Sequence, residues 1–211
     1  MEQVSNILFW ISNGLLVPVI VGLLFFFAKS VVMLGGFVGQ YIQRIKQDKQ
    51  LRLRMDQLDQ STIHAFSGEL DEQPDSLFTQ TAKQLLSTGS TAVANRVLSE
   101  YEVTADAELG KYKVLVKFGP ILGLMGTLIP MGPALAGLST GDIASMAYNM
   151  QVAFATTVLG LFSGAVGFIL LQVKQRWFTS DLIYLDYLSE LSREKPVAAK
   201  ATLVTSKAVN E

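Results

Sequence analysis

Three long apolar runs constrain the fold of this chain more than any other feature. Residues 3–28 carry no charge, and the apolar character continues past Lys29 to about Ile42; residues 118–141 and 143–173 are also uncharged. A helix needs about 20 consecutive apolar residues to cross a bilayer, so each run predicts a transmembrane helix. The third run is longer than required, which indicates tilt or extension into the cytoplasm. We therefore predict an all-α membrane protein with three transmembrane helices and long cytoplasmic helical extensions.

Basic residues lie at one end of each run, and this asymmetry sets the predicted orientation. No lysine or arginine precedes Lys29, and the turn between the second and third runs holds only Asp142. Basic clusters follow the first run, precede the second and follow the third: Arg44, Lys46, Lys49, Arg52 and Arg54; Lys111, Lys113 and Lys117; Lys174 and Arg176. Because basic residues are retained in the cytoplasm, we predict that the N-terminus is outside and the C-terminus is inside. We also expect Lys29 to extend toward the cytoplasmic headgroups.

These boundaries divide the chain into five predicted segments. They are a first transmembrane helix at 1–43, a cytoplasmic helical loop region at 44–117, a second transmembrane helix at 118–141, a third at 142–177, and a cytoplasmic helical extension and tail at 178–211.

The polar region after the first run predicts further helices. Residues 40–60 contain neither proline nor glycine and predict a continuation of the first helix. An acidic loop is predicted at 67–76, where both glycine and proline occur. Short amphipathic helices are predicted at 79–86 and 91–103, and residues 105–117 are predicted to lead as a helix into the second span.

An apolar stripe follows the third run. Its members recur every three or four residues: Phe178, Leu182, Leu185, Leu188 and Leu191. This spacing predicts that the third helix extends to about Arg193 and that its stripe needs a partner surface. Residues from Pro196 onward predict a frayed tail.

The chain lacks the residues and motifs on which most enzymes and metal proteins depend. The formal net charge of −1 does not predict nucleic-acid binding. There is no cysteine, which excludes disulfides and thiolate metal sites, and the only histidine, His64, lies in a polar loop where a surface position is typical. No phosphate-binding loop, metal-ligand cluster or nucleophile motif occurs. We therefore predict neither a cofactor nor a metal, and a membrane-embedded enzyme is strongly disfavoured.

The spans themselves hold no Asp, Glu, Arg or His in their cores. A transporter that relays protons by itself places an ionisable group there. Any proton acceptor is therefore expected to come from another chain.

Small residues and threonines crowd the second and third spans. The second span contains Pro120, Gly123, Gly126, Thr127 and Pro130; the third contains Thr156, Thr157, Gly160 and Gly164. Small residues on one helix face allow close helix packing in lipid, and a threonine hydroxyl can bond a carbonyl of its own helix. Threonines at broadly similar membrane depth, as predicted for Thr127 and Thr157, can also hold water or a carboxylic acid in an apolar pore. The residue pattern alone leaves both interpretations open.

Two motifs in these spans resemble a known family. The segment from Pro120 to Thr127, PILGLMGT, is similar to the second-span signature P-x-L-G-L-x-G-T of the ExbB/TolQ/MotA proton-channel superfamily. The segment from Ala153 to Leu161, AFATTVLGL, is similar to the third-span signature A-x-x-(A/T)-T-x-x-G-L. The predicted topology of three spans with a large loop after the first resembles the ExbB and TolQ branch.

The resemblance implies a fold, a function and partners. Members form rings, usually homopentamers, around two single-span ExbD/TolR/MotB-like partners in the inner membrane. An aspartate of the partner carries the proton, and the flux is converted to rotation. By this resemblance Thr127 and Thr157, with Thr156 beside them, line the pore and the proton pathway. Helix packing and pore shape are expected to depend on Pro120, Gly123, Gly126, Pro130, Gly160 and Gly164.

The chain departs from the family pattern at two places. Val152 stands where ExbB-like members often carry a glutamate, and Pro130 stands where a glycine is common. These departures indicate a divergent member. The alternative hypothesis is a non-conducting membrane scaffold, in which the small residues and threonines serve assembly alone.

Overall fold

The computed structural model describes residues 2–55, 68, 70 and 76–193. These ranges contain four helices: α1 (Glu2–Met55), α2 (Leu77–Ser87), α3 (Thr91–Thr140) and α4 (Ile143–Arg193). Three of them include segments long and apolar enough to cross a membrane: Asn6–Ile42, Thr91–Thr140 and Ile143–Arg193. Within the described ranges, the prediction of an all-α fold with three such helices is confirmed, and the chain is a multi-pass membrane protein.

Most predicted helices occur, with one correction. The first helix continues to Met55 and the last reaches Arg193, as predicted; residues 56–60 of the predicted continuation lie outside the described residues. The prediction of separate helices at 91–103 and 105–117 is wrong, because α3 runs without interruption from Thr91 to Thr140. Residues 103–105 contain no helix breaker, and the Thr104 hydroxyl donates to the Glu100 carbonyl within the helix.

A short capped helix, α2, begins slightly before its predicted start. The Thr79 amide donates to the Ser76 hydroxyl at 3.2 Å, and the Ser76 amide donates to the Thr79 hydroxyl at 2.8 Å. This reciprocal capping box fixes the first turn. In the predicted loop 67–76, Gly68 and Leu70 are helical instead. His64 and the predicted tail from Pro196 lie outside the described residues.

The chain divides into two compact units. The first, here the membrane unit, comprises Met1–Gln43 and Glu108–Gln175; the second, here the polar unit, comprises Arg44–Ala107 and Arg176–Glu211.

In the membrane unit, α3 and α4 run antiparallel and are joined by a tight turn. Gly141 has a φ of 77°, in the left-handed region that glycine adopts without strain. The Asp142 amide donates to the Gly137 carbonyl at 2.8 Å, and the Ser145 amide donates to the Asp142 carboxylate at 3.0 Å. The carboxylate therefore caps the start of α4, and the turn holds the two helices together at this end.

Helix α1 packs on one side of this pair. Its Phe26 ring stacks on Phe118 of α3 with centroids 6.3 Å apart, and its Phe27 ring lies 5.4 Å from Phe162 of α4. One turn earlier, a Cβ built at Gly22 would lie 3.6 Å from Leu122 Cδ1. These contacts set an antiparallel register between α1 and α3, in which residues 22 and 26 pair with 122 and 118.

The polar unit has its own apolar core. Leu185 and Leu188 of α4 are fully buried against residues of α2 and the first part of α3. The partly buried Phe178, Leu182 and Leu191 pack on the same cluster. The partner surface that the apolar stripe requires is therefore provided by the chain itself.

A buried polar network accompanies this core. The Arg44 guanidinium on α1 pairs with the Asp181 carboxylate on α4, and the Tyr101 hydroxyl on α3 donates to the same carboxylate at 3.2 Å. Asp181 is 5% exposed and Tyr101 is 3% exposed. Because a buried charge is costly without a partner, this network favours one arrangement of three helices within the polar unit.

Candidate functional site

The α3–α4 contact in the membrane unit is a seam in which backbones touch. A Cβ added at Gly160 would lie 2.6 Å from the Gly123 Cα and 2.7 Å from the Gly119 carbonyl oxygen. A Cβ added at Gly119 would lie 2.9 Å from both the Gly160 carbonyl oxygen and the Gly164 amide nitrogen. Real side chains do not reach such distances from backbone atoms, so only glycine permits this approach.

Side chains enter the seam on either side of this contact. A Cβ at Gly164 would lie 2.7 Å from the Pro120 Cγ, and a Cβ at Gly126 would lie 2.6 Å from the Thr156 Cβ. Of the residues predicted for packing and pore shape, Pro120, Gly123, Gly126, Gly160 and Gly164 thus lie in the seam. Pro130, on the same helix, is fully buried.

Thr127 and Thr157 lie beside the seam and are half-buried. The Thr127 hydroxyl donates to the Leu124 carbonyl at 2.7 Å, and the Thr157 hydroxyl donates to the Ala153 carbonyl at 3.0 Å. The hydroxyl hydrogen of each threonine is therefore engaged in a hydrogen bond within its own helix. The oxygen lone pairs still can accept a hydrogen bond from a ligand or a second chain.

Thr156 has a different environment from its neighbour. It is 5% exposed and packs against Gly126 within the seam. Its hydroxyl lies 3.0 Å from the Val152 carbonyl oxygen and 2.9 Å from that of Ala153. This position favours a packing role, and the pore-lining role given to Thr156 stays a prediction.

The two half-buried threonines face the same side of the seam. At about 100° per residue, Thr127 is offset by about 40° from Gly123, and Thr157 by about 60° from Gly160 in the same rotational sense along its own helix. Because α3 and α4 are antiparallel, equal senses of rotation turn both side chains to one side.

This shared side lies away from α1. Leu122, which contacts α1, is five residues from Thr127, and Phe162, which also contacts α1, is five residues from Thr157. Five residues correspond to about 140° around a helix. We call the surface turned away from α1 the threonine face.

The threonine face is otherwise apolar. One turn from Thr127 lie Leu124 and Met131, and one turn from Thr157 lie Phe154 and Leu161; all four are exposed. No carboxylate occurs in residues 118–141 or 143–173. The two hydroxyl oxygens of the face can accept hydrogen bonds, and a protonated carboxyl, which has a single O–H, can donate to one of them at a time.

The sequence interpretation found the threonines but missed the buried network of the polar unit. The sequence feature that could have revealed this network is Asp181. This charged residue shares a helix face with Phe178 and Leu185, three and four residues away. A charge within an apolar stripe predicts a buried partner. Arg44, more than 130 residues earlier, could not be identified as that partner from spacing.

Comparisons with known proteins agree with the two span motifs. No match is found among curated proteins or among solved structures. A model of the MotA/TolQ/ExbB proton channel family matches residues 70–182, which is more than half of the chain and includes both Thr127 and Thr157. This is a family of proton channels and not of enzymes. The chain belongs to the MotA/TolQ/ExbB proton channel family.

Proposed function

We propose that the chain is the ring subunit of a motor or stator driven by the proton-motive force in the inner membrane. Protons pass where the threonine face meets a single-span partner that carries a membrane aspartate. The flux is converted to rotation and so to work across the cell envelope. The N-terminus is outside, and residues 44–117 and 178–211 lie in the cytoplasm.

The observation that carries this proposal is the common orientation of Thr127 and Thr157. Two hydroxyl oxygens on one apolar face provide acceptors for a protonated carboxyl that lies against them. The apolar surroundings disfavour the ionised form of a carboxyl, which favours transit in the neutral state. Residues 118–141 and 143–173 contain no acidic residue, which supports a carboxyl supplied by the partner.

The proposed assembly is a homopentamer around a dimer of ExbD/TolR/MotB-like partners. Its basis is the family to which the chain belongs. In such a ring the threonine face points to the axis and α1 points to the lipid. The exposed apolar residues of α1, which include Trp10, Val17 and Val21, suit that position.

Proton flux measured with the partner present tests the function. The chain and its partner are reconstituted into vesicles, and uptake is followed with a pH-sensitive dye. Thr127→Val and Thr157→Val each remove one acceptor while preserving shape, and each is expected to lower flux roughly tenfold, since a hydrogen bond contributes about 1.4 kcal/mol.

Thr140→Val provides a matched control. Thr140 is exposed at the outer end of α3, and its hydroxyl also bonds carbonyls of its own helix, at 3.2 Å to Ala136 and 3.1 Å to Gly137. This variant is expected to retain full flux. Normal flux in both Thr127→Val and Thr157→Val would refute the proposed proton pathway, and a partner complex without any flux would support the scaffold alternative.

Native mass spectrometry of the same complex tests the assembly. Five copies of this chain with two copies of a single-span partner are expected. A stable monomer or dimer that takes up no partner would contradict the ring.

A further inference from the structure

Lys29 is the one charge inside the long apolar segment of α1 between Asn6 and Ile42. It is half-buried, and within the described ranges it has no ion pair. Apolar residues such as Val31 and Val32 follow it. An ammonium group at the edge of the hydrocarbon is costly unless an anion or water lies close to it. Lys29 therefore needs an anion or water close to its ammonium group, and the neighbouring residues indicate which kind of anion fits there.

The register of α1 on α3 brings a second lysine, Lys111, close to the level of Lys29; the space between α1 and α3 from Lys29 to Gly36 is here called the cleft. Lys29 follows Gly22 by seven residues, two helical turns, and so shares the α1 face that contacts α3. Lys111 precedes Phe118 by seven residues and shares the α3 face that contacts α1. In the register set by residues 22 and 122, Lys29 lies opposite residue 115, so the two lysines are about 6 Å apart along the helix axes.

The cleft opens beyond Lys29, on the polar side of the Phe26–Phe118 stack. Seven residues after Lys29, and thus on the same α1 face, a Cβ built at Gly36 would have no neighbour within 4 Å. At Gly22 the same construction meets Leu122 at 3.6 Å. Leu115 and Ser30, at the level of Lys29, are fully buried, so the helices stay packed to this level and separate only between Lys29 and Gly36.

The depth of this space matches the boundary between hydrocarbon and headgroups. Phe118 is the first residue of the uncharged second run, and Lys117 precedes it. Two lysine side chains at this boundary attract an anion, and a phospholipid phosphate carries one negative charge at this depth. Glu108, one turn beyond Lys111, forms no ion pair with it within the described ranges. Glu108 makes the part of the cleft farther from the membrane less favourable for an anion, which favours a position at the membrane boundary.

We propose that the cleft between α1 and α3 is a binding site for the headgroup phosphate of an anionic phospholipid in the cytoplasmic leaflet, held by Lys29 and Lys111. The site lies on the α1 side of the α3–α4 pair, opposite the threonine face. It therefore does not rest on the proposed proton pathway. A bound lipid provides the counter-ion that Lys29 lacks and fills the space where α1 and α3 separate.

Lipid titration followed by native mass spectrometry tests the site. The full chain in detergent, with its partner where the complex requires it, is titrated with phosphatidylglycerol and, separately, with phosphatidylcholine. The wild-type chain is expected to retain phosphatidylglycerol preferentially. The double variant Lys29→Ala/Lys111→Ala is expected to bind it roughly 10- to 30-fold more weakly, from the typical contribution of two lysines at a membrane surface.

A matched double variant separates a site from general attraction to basic residues. Lys113→Ala/Lys117→Ala removes the same charge, but these residues are nine and five positions from Leu122 and so face away from α1. This control is expected to bind phosphatidylglycerol as the wild type does. An equal loss in both double variants, or no loss in either, would overturn the proposal.

A charge-preserving variant and a competition experiment complete the test. Lys29→Arg/Lys111→Arg keeps both charges and is expected to retain the lipid, which separates lost binding from lost folding. Inorganic phosphate at millimolar concentration is expected not to displace phosphatidylglycerol. Displacement would identify a site for a free anion and overturn the assignment to lipid.

Discussion

Replacing Gly160 by alanine places one methyl group where two helices have no room for it. The new Cβ would lie 2.6 Å from the Gly123 Cα, 2.7 Å from the Gly119 carbonyl oxygen and 3.0 Å from the Gly123 amide nitrogen. All three atoms belong to backbone, so no side chain can rotate away. The α3 and α4 backbones must separate by several tenths of an ångström, which also loosens the neighbouring contacts at Gly164 and Gly126.

The expected magnitude follows from two opposing terms. Forcing a methylene-sized group into a packed interior costs about 1–3 kcal/mol. Alanine is favoured over glycine within a helix by about 1 kcal/mol. Gly14→Ala on α1 isolates the second term, because a Cβ there has no neighbour within 4 Å. We expect Gly160→Ala to be less stable than Gly14→Ala by about 1–3 kcal/mol.

Reversible unfolding in mixed detergent micelles measures both variants under the same conditions. The comparison cancels most of the helix-propensity term, since both glycines lie within long helices. Equal stability of Gly160→Ala and Gly14→Ala would refute the backbone seam.

Three more perturbations are expected to have measurable effects. Asp181→Asn leaves the partly buried Arg44 against a neutral amide and is expected to cost about 1–3 kcal/mol in chemical denaturation, less than for a fully buried pair because Arg44 is 23% exposed; a loss below about 0.5 kcal/mol would show that the pair is solvated. Leu185→Ala removes a fully buried side chain and is expected to cost about 2–5 kcal/mol, whereas Ile183→Ala, at a site that is 64% exposed, is expected to change stability little. Ser76→Ala removes half of the capping box and is expected to cost about 1 kcal/mol, read as faster amide exchange at the start of α2; unchanged exchange would contradict the cap.

Charge and hydropathy predicted the helices of the membrane unit well, because both are local properties of the sequence. The uncharged runs around Phe118 and Ile143 each correspond to a helix, since lipid leaves the backbone no alternative hydrogen-bond partner. The same local rules failed between residues 103 and 105, where a pattern change was interpreted as a break. With no proline or glycine there, α3 continues through it.

The details of the candidate site depend on contacts between helices, which periodicity does not specify. Spacing placed Thr127 and Thr157 at similar depth, but only the antiparallel packing turns them to the same side. Spacing also could not separate Thr156 from Thr157. The packing of Thr156 against Gly126 distinguishes the two, because it places the first hydroxyl inside the seam and leaves the second at its edge.

The backbone contact at Gly119, Gly123 and Gly160 also limits how the membrane unit can move. Helices separated by flexible side chains can slide past each other as those side chains change rotamer. Here a glycine Cα meets a glycine Cα, and a shift by one residue would drive Pro120 or Thr156 into the opposing backbone. Within the membrane unit, α3 and α4 are therefore expected to move together as one rigid pair. A motion of this pair would change its contacts with α1 and leave the glycine contacts between the two helices intact.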